Sequence, residues 1–117
     1  MSVYSRPETQ DRSRLRVNDV VCDARDARMQ LHPANRYLTS LIIDILSNHE
    51  TGASPLRIVN DRNECFRLAR ELVRIIKENY DGRFLARTTR GTLKEMSNEL
   101  AMRWTSGALR RSASGML

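Results

Sequence analysis

Residues 64–87, "ECFRLARELVRIIKENYDGRFLAR", decide the fold. Cys65, Ala69, Leu72, Val73, Ile76 and Tyr80 recur at helical spacing and form one stripe; Phe66, Leu68 and Ile75 widen it to nearly half the circumference. So wide an apolar arc predicts one continuous helix over 61–80 that packs against more than one neighbour, with Asn60 or Asp61 as its cap. Asp81-Gly82 then stops it, and Gly82 suits the left-handed position past a helix end. Phe84 and Leu85 return the chain to the core between the cations Arg83 and Arg87.

The wet side of this helix is ordered by charge. Arg67, Arg70, Arg74 and Lys77 line one edge, and Glu64, Glu71 and Glu78 the next. Glu64–Arg67, Arg67–Glu71 and Arg74–Glu78 fall three or four residues apart, where each pair adds a few tenths of a kcal/mol, about 0.2–0.5. Those acids favour a solvated, salt-bridged face over a phosphate-binding stripe.

Upstream, Tyr37, Leu38, Leu41, Ile42, Ile45 and Leu46 repeat at helical spacing, with Ile43 on the polar side. This helix begins near Pro33 or Asn35, and Asn35 is a possible cap. Val17, Val20 and Val21 make a short strand or extended segment, and residues 47–55 read as a loop. Downstream, residues 86–91 form a basic turn, and then two patterns compete. "TLKE" (92–95) is a capping box opening a helix with Leu93, Met96, Leu100, Trp104 and Ala108 on one face. Alternatively 92–96 is a strand hairpinned with 83–87, and Ser97 caps a shorter helix. Trp104 serves the core or a partner contact.

Length bounds the rest. The chain of 117 residues has room for one small domain with tails: a disordered basic lead over 1–16, a domain over 17–111 and a loose tail over 112–117. No apolar run is long enough for a membrane span; the best, "LTSLIIDIL" (38–46), is broken by Asp44. Arg6, Arg12, Arg14 and Arg16 resemble a transit peptide only faintly, because Glu8, Asp11 and the lack of an apolar face oppose it. An intracellular chain, nuclear or cytoplasmic, is expected, with Cys22 and Cys65 reduced. Cys22, His32, His49 and Cys65 are spaced C-x9-H-x16-H-x15-C, without the short knuckle that starts structural zinc sites, so no metal and no cofactor are expected.

Charge is segregated along the chain. Residues 1–56 hold seven Arg and seven acids; residues 57–117 hold eleven Arg and two Lys against seven acids, which supplies the whole net charge of +6. Arginine makes planar, bidentate contacts to phosphate and carboxylate. Two function classes follow: nucleic-acid binding through Arg83, Arg87, Arg90, Arg103, Arg110 and Arg111, or docking of an acidic protein partner on the same residues. An enzyme is a distant third, since the chain has no nucleophile elbow, phosphate loop or zinc-protease motif. His32 is the best placed for polar chemistry, but a histidine before a helix more often bonds backbone groups.

"NDVVC" (18–22), "HPANRYLTSLI" (32–42), "RLARELVRIIKENYDGRFLAR" (67–87) and "ELAMRWTSGALR" (99–110), in this order, resemble an uncharacterised domain-of-unknown-function family abundant in diatoms and related algae. Its pattern runs roughly "DVLCGRGG…N.HPGN..F..L", "R.IA..IV..I...GGRFL" and "W.EV.D..A..K..QALR". Cys22, His32, Asn35, Gly82 and Phe84 are its motif residues here, with no role assigned. The resemblance implies a mainly helical α+β domain, about three helices with a short β-hairpin, winged-helix-like by analogy. It also implies that Phe84 and Leu85 are hairpin core residues from which Arg83, Arg87 and Arg90 project. Residues 23–31, "DARDARMQL", replace the family's glycine-rich stretch; Ala34 and Asp81 replace glycines, and Leu93 a tryptophan.

Overall fold

The computed structural model of the chain describes residues 15–22, 31–48 and 54–117. The lead up to residue 14, residues 23–30, and 49–53 with His49 lie outside the described residues. The fold is mainly helical α+β. In chain order it comprises β1 (Val20–Val21), α1 (Pro33–Ser47), α2 (Pro55–Asn60), α3 (Arg62–Arg74) prolonged by a π-turn (Ile75–Asn79), β2 (Phe84–Arg87), β3 (Leu93–Glu95) and α4 (Asn98–Gly115).

Local chemistry sets most boundaries. Asp61 accepts the Glu64 N–H at 3.2 Å and starts α3; Ser54 accepts the Arg57 N–H and Ser97 the Leu100 N–H, each at 3.2 Å, and start α2 and α4. Pro33 occupies the first turn of α1, and His32 stands at its N-cap without a side-chain bond to the helix's own N–H groups. Asn35 lies one turn inside and caps nothing. Helix α2 has no periodic signature in the sequence, because six residues are too few to show a helical repeat.

The helix expected over 61–80 is continuous but widens at its end, where the Tyr80 N–H reaches the Ile75 carbonyl at 3.2 Å, five residues back. Leu72 and Ile76 are fully buried and Val73 nearly so. Around this helix pack Leu38, Ile42 and Leu46 of α1, Ile58 of α2, Phe84 of β2, and Ala101, Leu109 and Ala113 of α4 in one core cluster. Ile43 faces outward, as its position off the stripe requires.

Between the two patterns for 92–96, the strand holds. Leu85, Ala86 and Arg87 pair antiparallel with Glu95, Lys94 and Leu93. Phe84 and Leu85 are fully buried, so β2 is pinned and offers β3 an edge; a capping box at Thr92 contributes only about 1 kcal/mol against that ladder. The sheet order is β1-β2-β3, and β1 runs parallel to β2 with Val20 opposite Phe84 and Val21 opposite Leu85. The parallel β1 strand adds a third member to the expected hairpin. Helix α4 runs on through Gly115 with Ala113 fully buried, so residues 112–115 are not the loose tail expected: the Ala101–Thr105–Leu109–Ala113 stripe continues the packed face.

Candidate functional site

The motif residues form a structural seam between β1, α1 and β2. The buried amide of Asn35 accepts the Val21 N–H at 2.8 Å and donates to the Val21 carbonyl at 3.0 Å. It thereby acts as a strand partner on the open edge of β1. His32 Nε2 lies 2.9 Å from the Arg16 carbonyl, a backbone tether rather than an acid–base arrangement. The Cys22 N–H bonds the Leu85 carbonyl at 2.7 Å, and burial pushes the Cys22 thiol far above its ordinary value. Cys65 is buried against Ser106, its Sγ 3.3 Å from the Ser106 Oγ. Among the described residues no cluster of His, Cys, Asp and Glu could hold a metal ion, and no helix is long and apolar enough to cross a membrane.

Gly82 is required for a different reason than its place after a helix suggests. Asp81 takes the left-handed conformation (φ 54°), at the position where the resemblance puts a glycine and where aspartate is among the residues that tolerate it. Gly82 is needed for space: a Cβ there would stand 2.4 Å from the Asn18 carbonyl oxygen and 2.9 Å from Ile76 Cγ2. That close approach, together with the Asn18 side chain donating to the Tyr80 carbonyl at 2.8 Å, locks β1 onto the end of α3. Tyr80 in turn stacks on Tyr37 with ring centroids 4.5 Å apart.

Arg83 does not project from the hairpin. Its Nε and Nη2 donate to the two carboxylate oxygens of Asp19 at 3.0 and 2.8 Å, and its side chain is 13% exposed. The Arg16 N–H also donates to Asp19, at 2.8 Å. Burial pushes the Asp19 carboxyl up, but the Arg83 bond, the Arg16 N–H and both positive charges outweigh it, so it sits below the ordinary carboxylate value. Asp19 escaped the sequence reading because its partner lies 64 residues away.

The remaining arginines divide by their surroundings. On α3, Arg67 pairs with Glu64, Arg74 with Glu71 at 2.8 Å and with Glu78 at 3.5 Å, and Arg57 of α2 with Glu64 at 3.2 Å. The expected Arg67–Glu71 pair gives way to Arg74–Glu71, and Arg74 lowers the Glu71 carboxyl while its own value rises. At the hairpin, Arg87 donates to the Gly91 carbonyl at 2.9 Å, which bends it back over the turn, and Arg90 is exposed at the turn itself. On α4, Arg103 pairs with Glu99 at 3.0 Å across a solvent face. Beyond Glu99 the chain has no acidic residue at all, and Arg110 and Arg111 are exposed.

An open cleft on the outer face of α4 is lined by Arg103, Gly107, Arg110, Arg111 and Ser114. Its three arginines are among those expected to meet a polyanion, whereas Gly107 and Ser114 join them in the folded chain. The signal was available: four and seven residues separate Arg103 from Gly107 and Arg110, so all three share one helix face. Trp104 is partly buried against the core.

Among known protein families, the model of one described as a domain of unknown function (DUF6824) matches residues 19–111. Comparison with curated proteins and with solved structures returns no match.

Proposed function

We propose that this chain, which belongs to the domain-of-unknown-function family DUF6824, is a non-enzymatic module that binds nucleic acid through the outer face of α4 and the hairpin turn. One observation carries the reading: Arg67 and Arg74 on α3 are matched by glutamates within ion-pair distance, whereas α4 beyond Glu99 carries Arg110 and Arg111 with no acidic residue. Charge that is neither neutralised locally nor used in the core is what a polyanion's phosphates recruit. Arg110 and Arg111 form the main contact, Arg103 joins them by exchanging its exposed Glu99 partner for a phosphate, and Arg87 and Arg90 extend it at the hairpin. Arg83 is committed to Asp19 and takes no part. Such contacts position a protein on nucleic acid without reading bases, so no strong sequence preference is expected. An intracellular setting, nuclear or cytoplasmic, suits that partner.

The test is a salt series of fluorescence anisotropy with duplex DNA, single-stranded DNA and RNA. Log affinity is expected to fall linearly with log salt. Absence of salt-sensitive binding at physiological ionic strength rejects this function. A protein-interaction module then takes its place, and one feature favours it: Leu31 and Ile43 are 72% and 45% exposed and border a shallow groove on α1 with Arg36 and Asp44.

A further inference from the structure

We infer that the α4 cleft is a discrete seat for a phosphate oxyanion, formed by Arg103, Arg110, Arg111 and the Ser114 hydroxyl around the bare backbone of Gly107. The inference rests on the nucleic-acid reading for its biological source of phosphate but not for the existence of the seat. Three facts support it. The five residues line one cleft on one helix face. Gly107 stands inside an 18-residue helix, where glycine is the poorest helix former short of proline. Among the described residues, and apart from the chain neighbours and the helix's own backbone, the one atom within 4 Å of a Cβ added at Gly107 is Arg111 Nη1, at 3.3 Å.

The missing side chain therefore serves the surface. It leaves room for the Arg111 guanidinium to lie close over the helix at Gly107, within the cleft that Arg103 and Arg110 also line. Guanidinium groups present planar pairs of N–H donors that match phosphate oxygens, and a serine hydroxyl adds one more donor. No acidic side chain follows Glu99 to compete for them. Among the described residues Arg103 alone of the three has an acidic ion-pair partner, Glu99, and both side chains are more than half exposed, so the pair is weak enough for a phosphate to displace it.

The seat can be tested apart from the polymer. The 15N-labelled full chain is titrated first with inorganic phosphate and then with a short random duplex, following the Gly107 amide and the arginine Nε–H signals. Both ligands are expected to shift Gly107 and Arg111 saturably. Gly107→Ala is expected to raise Tm by about 4 °C, since alanine restores helix propensity, and yet to weaken phosphate binding several-fold by pushing Arg111 outward. Arg111→Gln should weaken it by about fivefold or more with Tm unchanged. Improved stability with worsened binding is an outcome that a merely structural glycine does not produce. If phosphate produces only a linear, unsaturating drift, or if Gly107→Ala leaves affinity intact, the seat is overturned. If the duplex binds but shifts only hairpin residues, the seat is overturned while the nucleic-acid function stands. If phosphate saturates the cleft and the duplex does not bind, the seat stands and the nucleic-acid function fails.

Discussion

Helices α3 and α4 are both rich in arginine, and they use it in opposite ways. On α3 the glutamates Glu64, Glu71 and Glu78 bracket Arg67 and Arg74, and each of these five side chains has an ion-pair partner. On α4 one such pair, Glu99–Arg103, sits in the first turns, and the charged residues of the later turns are all cations. Arginine content therefore says little about an interface. What matters is how many acids stand three or four residues away and how buried they are, because those neighbours compete with a partner for the charge. Arg83 extends the contrast to a third environment: buried against Asp19, it serves the fold.

The contrast can be broken most severely from the core side. Leu72→Ala on the buried face of α3 is expected to cost about 2–5 kcal/mol, and Phe84→Ala at β2 about 3–5 kcal/mol, measured by urea denaturation. Either change should unfold the domain before it alters any specific surface interaction. A destabilisation below about 1 kcal/mol at Leu72 would refute its central place.

Asp19→Asn comes next, at about 3 kcal/mol, because it leaves Arg83 largely buried without its counter-charge. The pH dependence has a defined sign. The folded Asp19 carboxyl is held below its unfolded value, so its contribution is fully present above the unfolded value. It is lost as pH falls through the folded value. Wild-type Tm should therefore drop on acidification below about pH 4 more steeply than that of Asp19→Asn. Parallel curves would show that the pair does not stabilise the fold.

A smaller effect is expected at the β1 edge. Asn35→Ala removes both bonds to Val21 and should cost about 1–3 kcal/mol, with amide exchange of Val21 accelerated first. A Val21 amide that stays protected would mean the clamp is dispensable.

The two arginine sets then separate on binding rather than stability. Neutralising Arg103, Arg110 and Arg111 together should leave Tm almost unchanged. On duplex DNA it should reduce the salt slope by about one unit for each phosphate that is no longer neutralised. Neutralising Arg67 and Arg74 should change the slope by less than about one unit, since Arg67 faces the largely buried Glu64 and Arg74 is held by two glutamates, Glu71 and Glu78. Equal effects from the two sets would erase the distinction between the helices.

Much of this molecule is set within short windows of sequence. The stripe from Cys65 to Ile76 specifies α3 and its burial, and the stripe from Leu38 to Leu46 specifies α1, because helical periodicity acts over one or two turns. Asp61 and Ser97 mark their helix starts for the same local reason. The run of cations without acids after Glu99 is equally plain in the residue order. Where two local patterns are both self-consistent, as at 92–96, nothing nearby can choose between them. The choice falls to Phe84 and Leu85, whose burial beside β1 makes β2 an edge ready to pair.

Other features are decided only by how distant segments meet. Sequence order marks Arg83, Arg87 and Arg90 as one basic turn, yet Asp19 withdraws Arg83 from it. Asn35 looks like a cap until β1 arrives beside it and offers Val21 an otherwise unpaired edge. Gly82 looks like a left-handed stop, but Asp81 bears that conformation and Gly82 makes room for the Asn18 carbonyl. In each case the residue has a local role available and a long-range partner that overrides it. The physical reason is common to all three: a buried polar group or a close backbone approach is satisfied by whatever the folded chain places next to it. Spacing in the sequence carries no information about neighbours that the chain's path brings together.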